Sequence, residues 1–396
     1  MESGALQDAP GRARPRIGGR CDPAFRELGR CFAERVVGTE LGAALAVCVE
    51  GRLVVDLWGG WADRRRTRPW GRDTLACLFS ATKGVAALAV LQAVERGRLA
   101  LDAPLVDAWP AFAGDGRETI TLRHGLTHAA GLIGFAPPDG FAFEDLYVPE
   151  RAAAALAATR PWWTPGSAHG YHARTQGVLL DEALRRATGA GVGAWCAEHV
   201  AGPEDLELWI GLPEGEHGRC AELVPAPPAG RDDPEARALL QAMAEPASEA
   251  AAAFTRPPAP RGYANTAEFR SASLPAMNGH GTARALARLY GILADTPERL
   301  LDPALLAEAT RAQRCGPDRV LGRESCFGLG FLLSREALPV GPVGTAFGHP
   351  GAGGTLAFAD PARRLGFALL VNRMEPGAVA GGSTARALVD VLETLS

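Results

Sequence analysis

Residues 80–97 read SATKGVAALAVLQAVERG, and the interpretation of the whole chain starts from this stretch. Apolar side chains occupy almost every position as far as Gln92, which is typical of a helix that is buried on all sides. Gly97 is placed to end that helix, since glycine readily adopts the left-handed conformation found after a last turn. Ser80 stands at the predicted helix start, where serine is a favoured N-cap or first-turn residue.

Ser80 and Lys83 form an S-x-x-K pattern at the start of this helix. Residues three apart on a helix share a face, so the Lys83 amine can reach the Ser80 hydroxyl. A serine needs a nearby base before it attacks a carbonyl, and a lysine can be that base when burial lowers its pKa. The pattern also fits an N-capping serine followed by a surface lysine. Lys83 is, however, the only lysine of the chain and lies in an apolar helix, which favours a functional role.

Two further segments carry residues suited to catalysis. Residues 161–173 read PWWTPGSAHGYHA, where Tyr171 follows a proline–glycine turn and could point its phenol into a cleft. Residues 348–354 read GHPGAGG and precede a strand signal, and such glycines allow the backbone to approach a ligand closely. Taken alone, each segment is explained at least as well by a packed loop or a simple turn.

Taken together, in this order and spacing, the three segments resemble the serine β-lactamase and penicillin-binding-protein-like superfamily. The chain is most similar to the class C β-lactamase-like branch, which includes esterases and transesterases. The family's S-x-x-K, Tyr-x-Asn and Lys-Thr-Gly elements correspond to residues 80–83, 171–173 and 349–351. Secondary matches lie at residues 121–132, 278–290 and 327–331, and the resemblance covers residues 25–395.

The resemblance implies an α/β fold of the α+β type. An antiparallel sheet built from both chain ends would be flanked by helices, with a mostly helical region inserted. Under this interpretation residues 1–24 form a flexible leader and residues 25–396 a single β-lactamase-like catalytic domain. The sheet region would take in residues 25–79 and 300–396, and the helical region residues 80–299.

The hydrophobic pattern also predicts individual elements. Two apolar runs flank residues 50–51 within the segment 42–60, which predicts a β-hairpin. Later strands are expected at 327–334, 354–360 and 365–372. Helices are expected at 149–157, 177–188, 234–243, 281–294 and 383–395. Residues 245–262, rich in alanine and proline, are expected to form an irregular surface loop that could face substrate.

The resemblance implies roles for individual residues as well. Ser80 would be the nucleophile, with Lys83 and Tyr171 sharing the general-base and general-acid roles in an order left open. The backbone N–H groups of Ser80 and Ala352 would form the oxyanion hole, while His349 would orient substrate or support the hydrogen bonds of the tyrosine. The candidate substrate-binding residues are His349, Gly351, Ala352, His172 and Trp162.

Two departures from the family pattern bear on the substrate. Ala173 replaces an asparagine that helps hold the side-chain amide of a β-lactam, and His349 replaces a lysine that helps receive its carboxylate. Both changes favour simple esters or thioesters, hydrolysed through a Ser80 acyl-enzyme. A biosynthetic acyltransferase that uses the same acyl-enzyme is the alternative. A β-lactamase, a D-aminopeptidase and a non-catalytic ligand-binding module rank below it.

The composition argues against several other classes of protein. Of the 396 residues 47% are hydrophobic, and a net charge of −4 offers no basic field for nucleic acid. A membrane-spanning helix needs about 20 consecutive apolar residues, and no apolar run in the sequence approaches that length. Eight scattered cysteines without a CxxC pair, together with a lack of an apolar signal segment, predict reduced thiols in a cytoplasmic protein.

No cofactor or metal is expected. The chain has no GxGxxG or Walker sequence that would indicate a nucleotide site. His124 and His128 have the spacing of a metal pair, but no carboxylate or third ligand follows in an HExxH pattern. The expected partner is a small-molecule acyl substrate, with an acceptor alcohol or amine in the transferase alternative, and the oligomeric state is left open.

Overall fold

A computed structural model describes residues 17–135, 140–225, 234–375, 377 and 381–395. The strands are β1 Gly18–Cys21, β2 Gly42–Val49, β3 Arg52–Gly60, β4 Ala76–Cys77, β5 Leu208–Ile210, β6 Gly279–Gly281, β7 Arg314–Asp318, β8 Arg323–Phe327, β9 Leu332–Leu333, β10 Phe347–Pro350, β11 Leu356–Asp360 and β12 Leu365–Val371. The helices are α1 Arg26–Gly38, α2 Thr82–Glu95, α3 Leu122–Leu126, α4 Pro149–Ala157, α5 Thr175–Thr188, α6 Val192–Cys196, α7 Pro234–Ala244, α8 Glu249–Thr255, α9 Ala267–Ser271, α10 Ala283–Asp295, α11 Pro303–Thr310 and α12 Ser383–Thr394.

Nine strands form one antiparallel sheet in the order β1-β3-β2-β12-β11-β10-β9-β8-β7. Strand β12, near the C-terminus, pairs with β2, near the N-terminus, so that Leu365 lies opposite Val49 and Val371 opposite Ala43. The prediction of one antiparallel sheet assembled from both chain ends is therefore confirmed, and with it the α+β class.

The hairpin between β2 and β3 forms where the sequence predicts it. Glu50 and Gly51 both have positive φ angles, of 48° and 72°. Two successive left-handed residues make the kind of tight turn whose twist matches that of the flanking strands. The turn therefore fixes the register of the two strands that start the sheet.

The sheet is buried on both faces. Ala44 and Ala46 of β2 belong to the core that α2 and α10 help to form, whereas Ala43, Leu45 and Val47 pack into the core of α1 and α12. Successive side chains of a strand point to opposite faces, so a strand covered on both sides is apolar at every position. This burial explains why β2 appears in the sequence as one continuous apolar run.

Helix α2 lies at the centre of the larger core. Every side chain from Thr82 to Ala93 is buried, which confirms the predicted helix with no exposed face. The buried Gln92 is satisfied, because its amide donates to the Leu300 carbonyl at 2.7 Å and accepts from Trp195 Nε1 at 3.2 Å. Gly97 follows the helix with a φ of 66°, as predicted for the residue that ends it.

A second sheet of three short strands, in the order β4-β6-β5, has no counterpart in the sequence prediction. Strands of two or three residues are too short to leave a periodic pattern. This sheet joins the segment just before Ser80 to residues 279–281. Helix α10, moreover, packs on β2 and β12 of the large sheet. The boundaries at 79/80 and 299/300 therefore separate the sheet and helical regions only approximately.

Most of the other predicted elements are present within about two residues of their predicted ends. One exception is the strand expected at 327–334, which is interrupted after Phe327. There the Gly328 amide donates to the Phe331 carbonyl, and Gly330 has a φ of 83°. The two glycines form a turn that separates β8 from β9.

The irregular loop expected at 245–262 is a second correction, because helix α8 lies inside it. Ser248 caps this helix, accepting a hydrogen bond from the Ala251 amide at 2.9 Å. The four alanines 250–253 are all buried, so α8 is held by tertiary packing. An alanine run carries no apolar periodicity, which is why the pattern alone did not reveal a helix.

The end of the predicted leader also has regular structure. Gly18–Cys21 forms β1, which pairs with the outer edge of β3. An unpaired strand edge offers a row of backbone donors and acceptors, and these order the segment that precedes α1. Residues 1–16 of the predicted leader lie outside the described residues.

The prediction that all cysteines are reduced is wrong for one pair. Cys315 and Cys326 form a disulfide where they lie opposite each other on β7 and β8. Strand pairing brings together residues whose spacing in the sequence gives no such signal. The other six cysteines are free thiols. The cytoplasmic location, which rested partly on reduced thiols, stays a prediction.

No helix within the described ranges is long and apolar enough to cross a membrane.

Candidate active site

Ser80 lies in the turn that joins β4 to α2. Phe79 just before it has a φ of 44°, an uncommon conformation for a residue with a side chain, which costs about 1–3 kcal/mol. The Leu78 amide donates to the Gly279 carbonyl at 2.8 Å and ties this turn to β6. Ser80 is half-buried and precedes the first turn of α2, where the backbone N–H groups create a positive potential.

Lys83 lies one turn into the helix and points at Ser80. Its Nζ is 3.2 Å from Ser80 Oγ and donates to the carbonyl oxygens of Ala173, at 2.8 Å, and Ala276, at 2.9 Å. The side chain is 1% exposed, and burial holds the pKa of Lys83 well below its usual range. No carboxylate among the described residues forms a salt bridge with it. Burial therefore favours the neutral amine over the ammonium at this position.

Tyr171 lies beside this pair. Lys83 Nζ is 4.9 Å from the centroid of the phenol ring. Burial raises the pKa of Tyr171, and a hydrogen bond with the Ser80 hydroxyl offsets only part of that rise. The phenol is therefore protonated at neutral pH and lies next to Ser80.

His349 at the end of β10 brings a second neutral group to the site. Its Nδ1 donates to the Pro350 carbonyl at 2.7 Å, so the neutral ring has its lone pair on Nε2. Burial, assisted by the nearby Lys83, lowers the pKa of His349 to about 3. Nε2 is buried without a hydrogen-bond partner among the described residues. It is therefore an acceptor that a substrate or a reacting group can use.

Gly351 and Ala352 continue from β10 toward Ser80. A Cβ on Gly351 would lie 2.2 Å from the Leu78 carbonyl oxygen, so only glycine allows this backbone to approach the turn before Ser80. The Gly351 amide donates to the Thr355 carbonyl at 2.8 Å. The close approach places Ala352 at the rim of the same cleft as Ser80.

A cleft of about 440 Å³, called here the Ser80 cleft, connects these groups. Its polar side chains are those of Ser80, Tyr171 and His349. Its other lining residues are Phe254, Leu321, Phe327, Leu332, Leu338, Pro350, Gly351 and Ala352. The described residues that line it include no charged side chain, so the cleft suits a neutral, largely apolar group.

Two predicted substrate-binding residues do not line this cleft. Both ring nitrogens of His172 form hydrogen bonds with backbone groups. Nε2 accepts from the Leu132 amide at 3.0 Å, and Nδ1 donates to the Gly170 carbonyl at 2.7 Å. Trp162 is 42% exposed, and it is the neighbouring Trp163 that packs against His172. His172 therefore holds the loop that carries Tyr171, and its predicted contact with substrate, like that of Trp162, stays a prediction.

The sequence analysis missed three residues that shape the site. Phe254 of α8 and Leu321, just after β7, form apolar walls of the Ser80 cleft. Asp318, at the end of β7, accepts a hydrogen bond from the Tyr171 amide at 3.0 Å. A signal for Asp318 existed, since Pro317-Asp318 is a turn-forming pair whose carboxylate can bind amides further along. The two apolar residues carried no local signal.

The two histidines spaced like a metal pair serve separate backbone contacts. His124 Nδ1 accepts from the Thr121 amide at 3.2 Å, and His128 Nδ1 accepts from the His172 amide at 3.0 Å. Within the described ranges, no group of three or more His, Cys, Asp or Glu side chains is arranged to hold a metal ion.

Comparisons with known proteins agree with this geometry. A family model described as Beta-lactamase matches residues 28–391. Esterase/beta-lactamase LipL of Mycobacterium tuberculosis (strain ATCC 25618 / H37Rv) is 36% identical over 386 residues, which cover 93% of this chain and 85% of that protein.

Two solved structures are similar over almost the whole chain. A penicillin-binding protein homologue from Caulobacter crescentus is 38% identical, with a TM-score of 0.86 over 96% of this chain and all of the other. A family VIII carboxylesterase is 34% identical, with a TM-score of 0.85 over 96% of this chain and 100% of the other. The chain therefore belongs to the beta-lactamase family of serine hydrolases, within the superfamily that also includes the penicillin-binding proteins.

Proposed function

We propose that this protein hydrolyses carboxylic esters or thioesters through an acyl-enzyme formed on Ser80. The observation that carries the proposal is the setting of Lys83, a buried amine that lies 3.2 Å from Ser80 Oγ and whose pKa is lowered by burial. Relatives named as an esterase and a carboxylesterase support ester hydrolysis as the reaction class.

Lys83 is the first base in this proposal. A neutral amine has two N–H bonds and one lone pair. The carbonyl oxygens of Ala173 and Ala276 can accept both N–H bonds, which leaves the lone pair for the proton of the Ser80 hydroxyl. Ser80 can then attack the ester carbonyl as that proton moves to Lys83.

Tyr171 is the acid that releases the alcohol. Because its pKa is raised, the phenol holds a proton that it can donate to the departing oxygen of the ester. Once the alcohol has left, the Lys83 ammonium can pass its proton directly to the Tyr171 phenolate beside it, because the acylated Ser80 oxygen has no proton to relay. A water molecule then attacks the acyl-enzyme with the same groups acting in reverse order.

The backbone supplies the electrostatic part of the mechanism. The N–H groups of Ser80 and Ala352 would bind the carbonyl oxygen as it becomes negative, as the family resemblance implies. Removing one such donor typically costs about 100- to 1000-fold in rate. His349 Nε2 would accept a hydrogen bond from Tyr171, from the attacking water or from a donor group of the substrate.

The lining of the Ser80 cleft favours a neutral acyl group. An anionic substituent would lose its hydration in the cleft, and the described lining residues include no cation to pair with it. Burying such an unpaired charge costs several kcal/mol. A β-lactam carries a carboxylate, so β-lactam hydrolysis is a weaker candidate. Hydrolysis of the chromogenic cephalosporin nitrocefin measures that activity directly.

Acyl transfer remains the alternative within the same mechanism. An alcohol or amine in the cleft would compete with water for the acyl-enzyme, and the apolar walls suit the carbon chain of such an acceptor. Product analysis in the presence of a short alcohol separates transfer from hydrolysis. A ligand-binding module without turnover would acylate once and then stall.

The test of the proposal is steady-state hydrolysis of short-chain p-nitrophenyl esters by wild type and Ser80→Ala. We expect turnover by the wild type and none above background by the variant. Ser334→Ala is the matched control, because it removes a buried serine hydroxyl that bonds the Gly341 carbonyl and is not among the cleft-lining residues. Equal rates for wild type and Ser80→Ala would refute the assignment of Ser80.

A further inference from the structure

Asp318 is a buried carboxylate that binds four hydrogen-bond donors. The residue is 2% exposed. Its Oδ1 accepts the backbone amides of Tyr171 at 3.0 Å, Val320 at 2.9 Å and Leu321 at 2.9 Å. Its Oδ2 accepts the hydroxyl proton of Ser325 at 2.9 Å. These charge-assisted bonds offset the cost of burying the carboxylate.

Ser325 extends the contact to the loop before Tyr171. Because the Ser325 hydroxyl donates its hydrogen bond to Asp318, Ser325 Oγ acts as the acceptor toward His169 Nε2, which lies 3.0 Å away. His169 precedes Tyr171 by two residues. The loop is therefore held by the carboxylate directly, at the Tyr171 amide, and through a hydroxyl, at the His169 ring.

Two of the three amides on Oδ1 belong to residues that line the Ser80 cleft. Tyr171 provides the phenol beside Ser80, and Leu321 provides part of the apolar wall. One carboxylate oxygen thus sets the position of a proton donor and of the surface that would receive the acyl group. A displacement of about 1 Å at a reacting group can cost 100-fold in rate.

We propose that Asp318 is a positioning residue for catalysis, which acts through Tyr171 by holding its amide and the loop before it. This inference rests on the proposed function of the Ser80 cleft. It differs from a purely structural role, because the effect on turnover should require the Tyr171 hydroxyl.

A double-mutant cycle between Asp318→Ala and Tyr171→Phe tests the inference, with p-nitrophenyl acetate as substrate and unfolding measured for every variant. In the wild-type background, we expect Asp318→Ala to lower kcat about 10- to 100-fold with KM changed less than about threefold. In the Tyr171→Phe background, it should cause no further loss beyond about twofold.

Conservative replacements at Asp318 and at a comparable site serve as controls. Asp318→Asn should restore kcat to within about threefold of wild type, because the carboxamide oxygen can accept the same three amides. Asp360→Asn alters a carboxylate that is equally buried, at 1% exposure, and that accepts from the Ala362 amide. It should leave kcat within about twofold of wild type whatever it does to stability.

The same loss of kcat in both backgrounds, or no loss from Asp318→Ala, would overturn the inference. If Asp318→Ala does not fold, Ser325→Ala takes its place in the cycle, with an expected loss of about threefold in wild type and none in Tyr171→Phe. Equal losses in the two backgrounds, or none, would again overturn it.

A wild type without Ser80-dependent turnover would overturn the proposed function and this inference together. Additive effects of the two substitutions in an active enzyme would overturn this inference alone.

Discussion

Two concave surfaces of this molecule differ in the charge of the polar side chains that line them. The Ser80 cleft is small, with a volume of about 440 Å³, and its polar groups are neutral. A second surface, here called the arginine groove, encloses about 1270 Å³ along β1, β3 and α10. The charged residues that line the groove are Arg20, Asp56, Arg72, Asp205, Glu207, Arg284 and Arg288.

The charges of the arginine groove are largely matched within the protein. Arg284 contacts Asp73 at 2.8 Å and Glu207 at 2.9 Å, and the Arg288 guanidinium donates to the Glu204 carbonyl at 3.2 Å. Beside the Ser80 cleft, the amine of Lys83 contacts Ser80 and forms no salt bridge with any described residue, and Nε2 of His349 in the cleft has no partner among these residues. We therefore expect the larger and more polar surface to be the less reactive one, because burial without charge pairing shifts pKa values toward those useful in catalysis.

The largest effect expected from this comparison is on turnover. Tyr171→Phe should lower kcat for p-nitrophenyl acetate about 100- to 1000-fold, since it removes only the phenolic proton donor. Arg284→Gln in the arginine groove should leave kcat within about twofold of wild type, while lowering the free energy of unfolding by about 1–2 kcal/mol. Steady-state kinetics and urea unfolding of both variants measure this contrast. A loss of activity in Arg284→Gln as large as that in Tyr171→Phe would break the comparison.

The second prediction concerns the pH dependence of stability. The usual pKa of Lys83 is 10.5, and burial depresses it in the folded state, so between the two pKa values the unfolded chain binds one more proton than the native one. This group therefore makes wild type more stable as pH rises, by about 1.4 kcal/mol per pH unit. Lys83→Met lacks the effect, so the stability difference between the two proteins should change with that slope from about pH 7 to 9.

Urea unfolding at several pH values measures the slope, and the range ends below the titration of tyrosine in the unfolded chain. The sign follows from proton counting: the cost of keeping Lys83 neutral is largest at low pH and disappears as pH approaches 10.5. A slope near zero would mean that Lys83 stays charged in the folded protein. It could not then be the base proposed for Ser80.

A smaller effect is expected on the preference for substrate charge. His349→Lys places a cation where the cleft has a neutral acceptor. The kcat/KM for an ester with a carboxylate in its acyl group should therefore rise relative to that for a neutral ester. We expect the ratio of kcat/KM for p-nitrophenyl hemisuccinate to that for p-nitrophenyl butyrate to rise about tenfold. His349→Gln, which stays neutral, is the control. An unchanged ratio in His349→Lys would show that position 349 does not set charge preference.

The smallest effect concerns the length of the acyl chain. Phe254→Ala enlarges the apolar part of the Ser80 cleft, so the ratio of kcat/KM for p-nitrophenyl octanoate to that for the acetate should rise about fivefold. Phe141→Ala removes a partly buried ring that does not line the cleft and should leave the ratio unchanged. The same ratio in wild type and Phe254→Ala would exclude Phe254 from the acyl-binding wall.

Much of the fold and the contact between Ser80 and Lys83 could be predicted because they depend on local patterns. A hairpin follows from Glu50-Gly51 between two apolar runs, and a buried helix follows from the apolar residues after Lys83. The order of the three motifs identified the family. By contrast, the helix α8 and the β4-β6-β5 sheet left no periodic signal, because an alanine run and very short strands have none.

The lining of the Ser80 cleft was less predictable than the contact between Ser80 and Lys83. His172 and Trp162 stand next to Tyr171 and Trp163 in the sequence, yet neither is among the residues that line the cleft. Leu321 and Phe254 come from distant segments and reach the cleft only in the folded chain. Neighbourhood in the sequence is a poor guide in loops, because their side-chain directions follow no fixed period.

The sequence by itself determined that one lysine follows a serine by three residues in an apolar helix, and that the three motifs stand in the order of a known family. Only the tertiary structure decided that burial lowers the pKa of this lysine and that its amine faces Ser80. The carbonyls of Ala173 and Ala276, which hold Lys83, are 90 and 193 residues away from it in the chain. A helical pattern arises from neighbours within one turn, whereas the pKa of a buried group depends on every segment that excludes water from it.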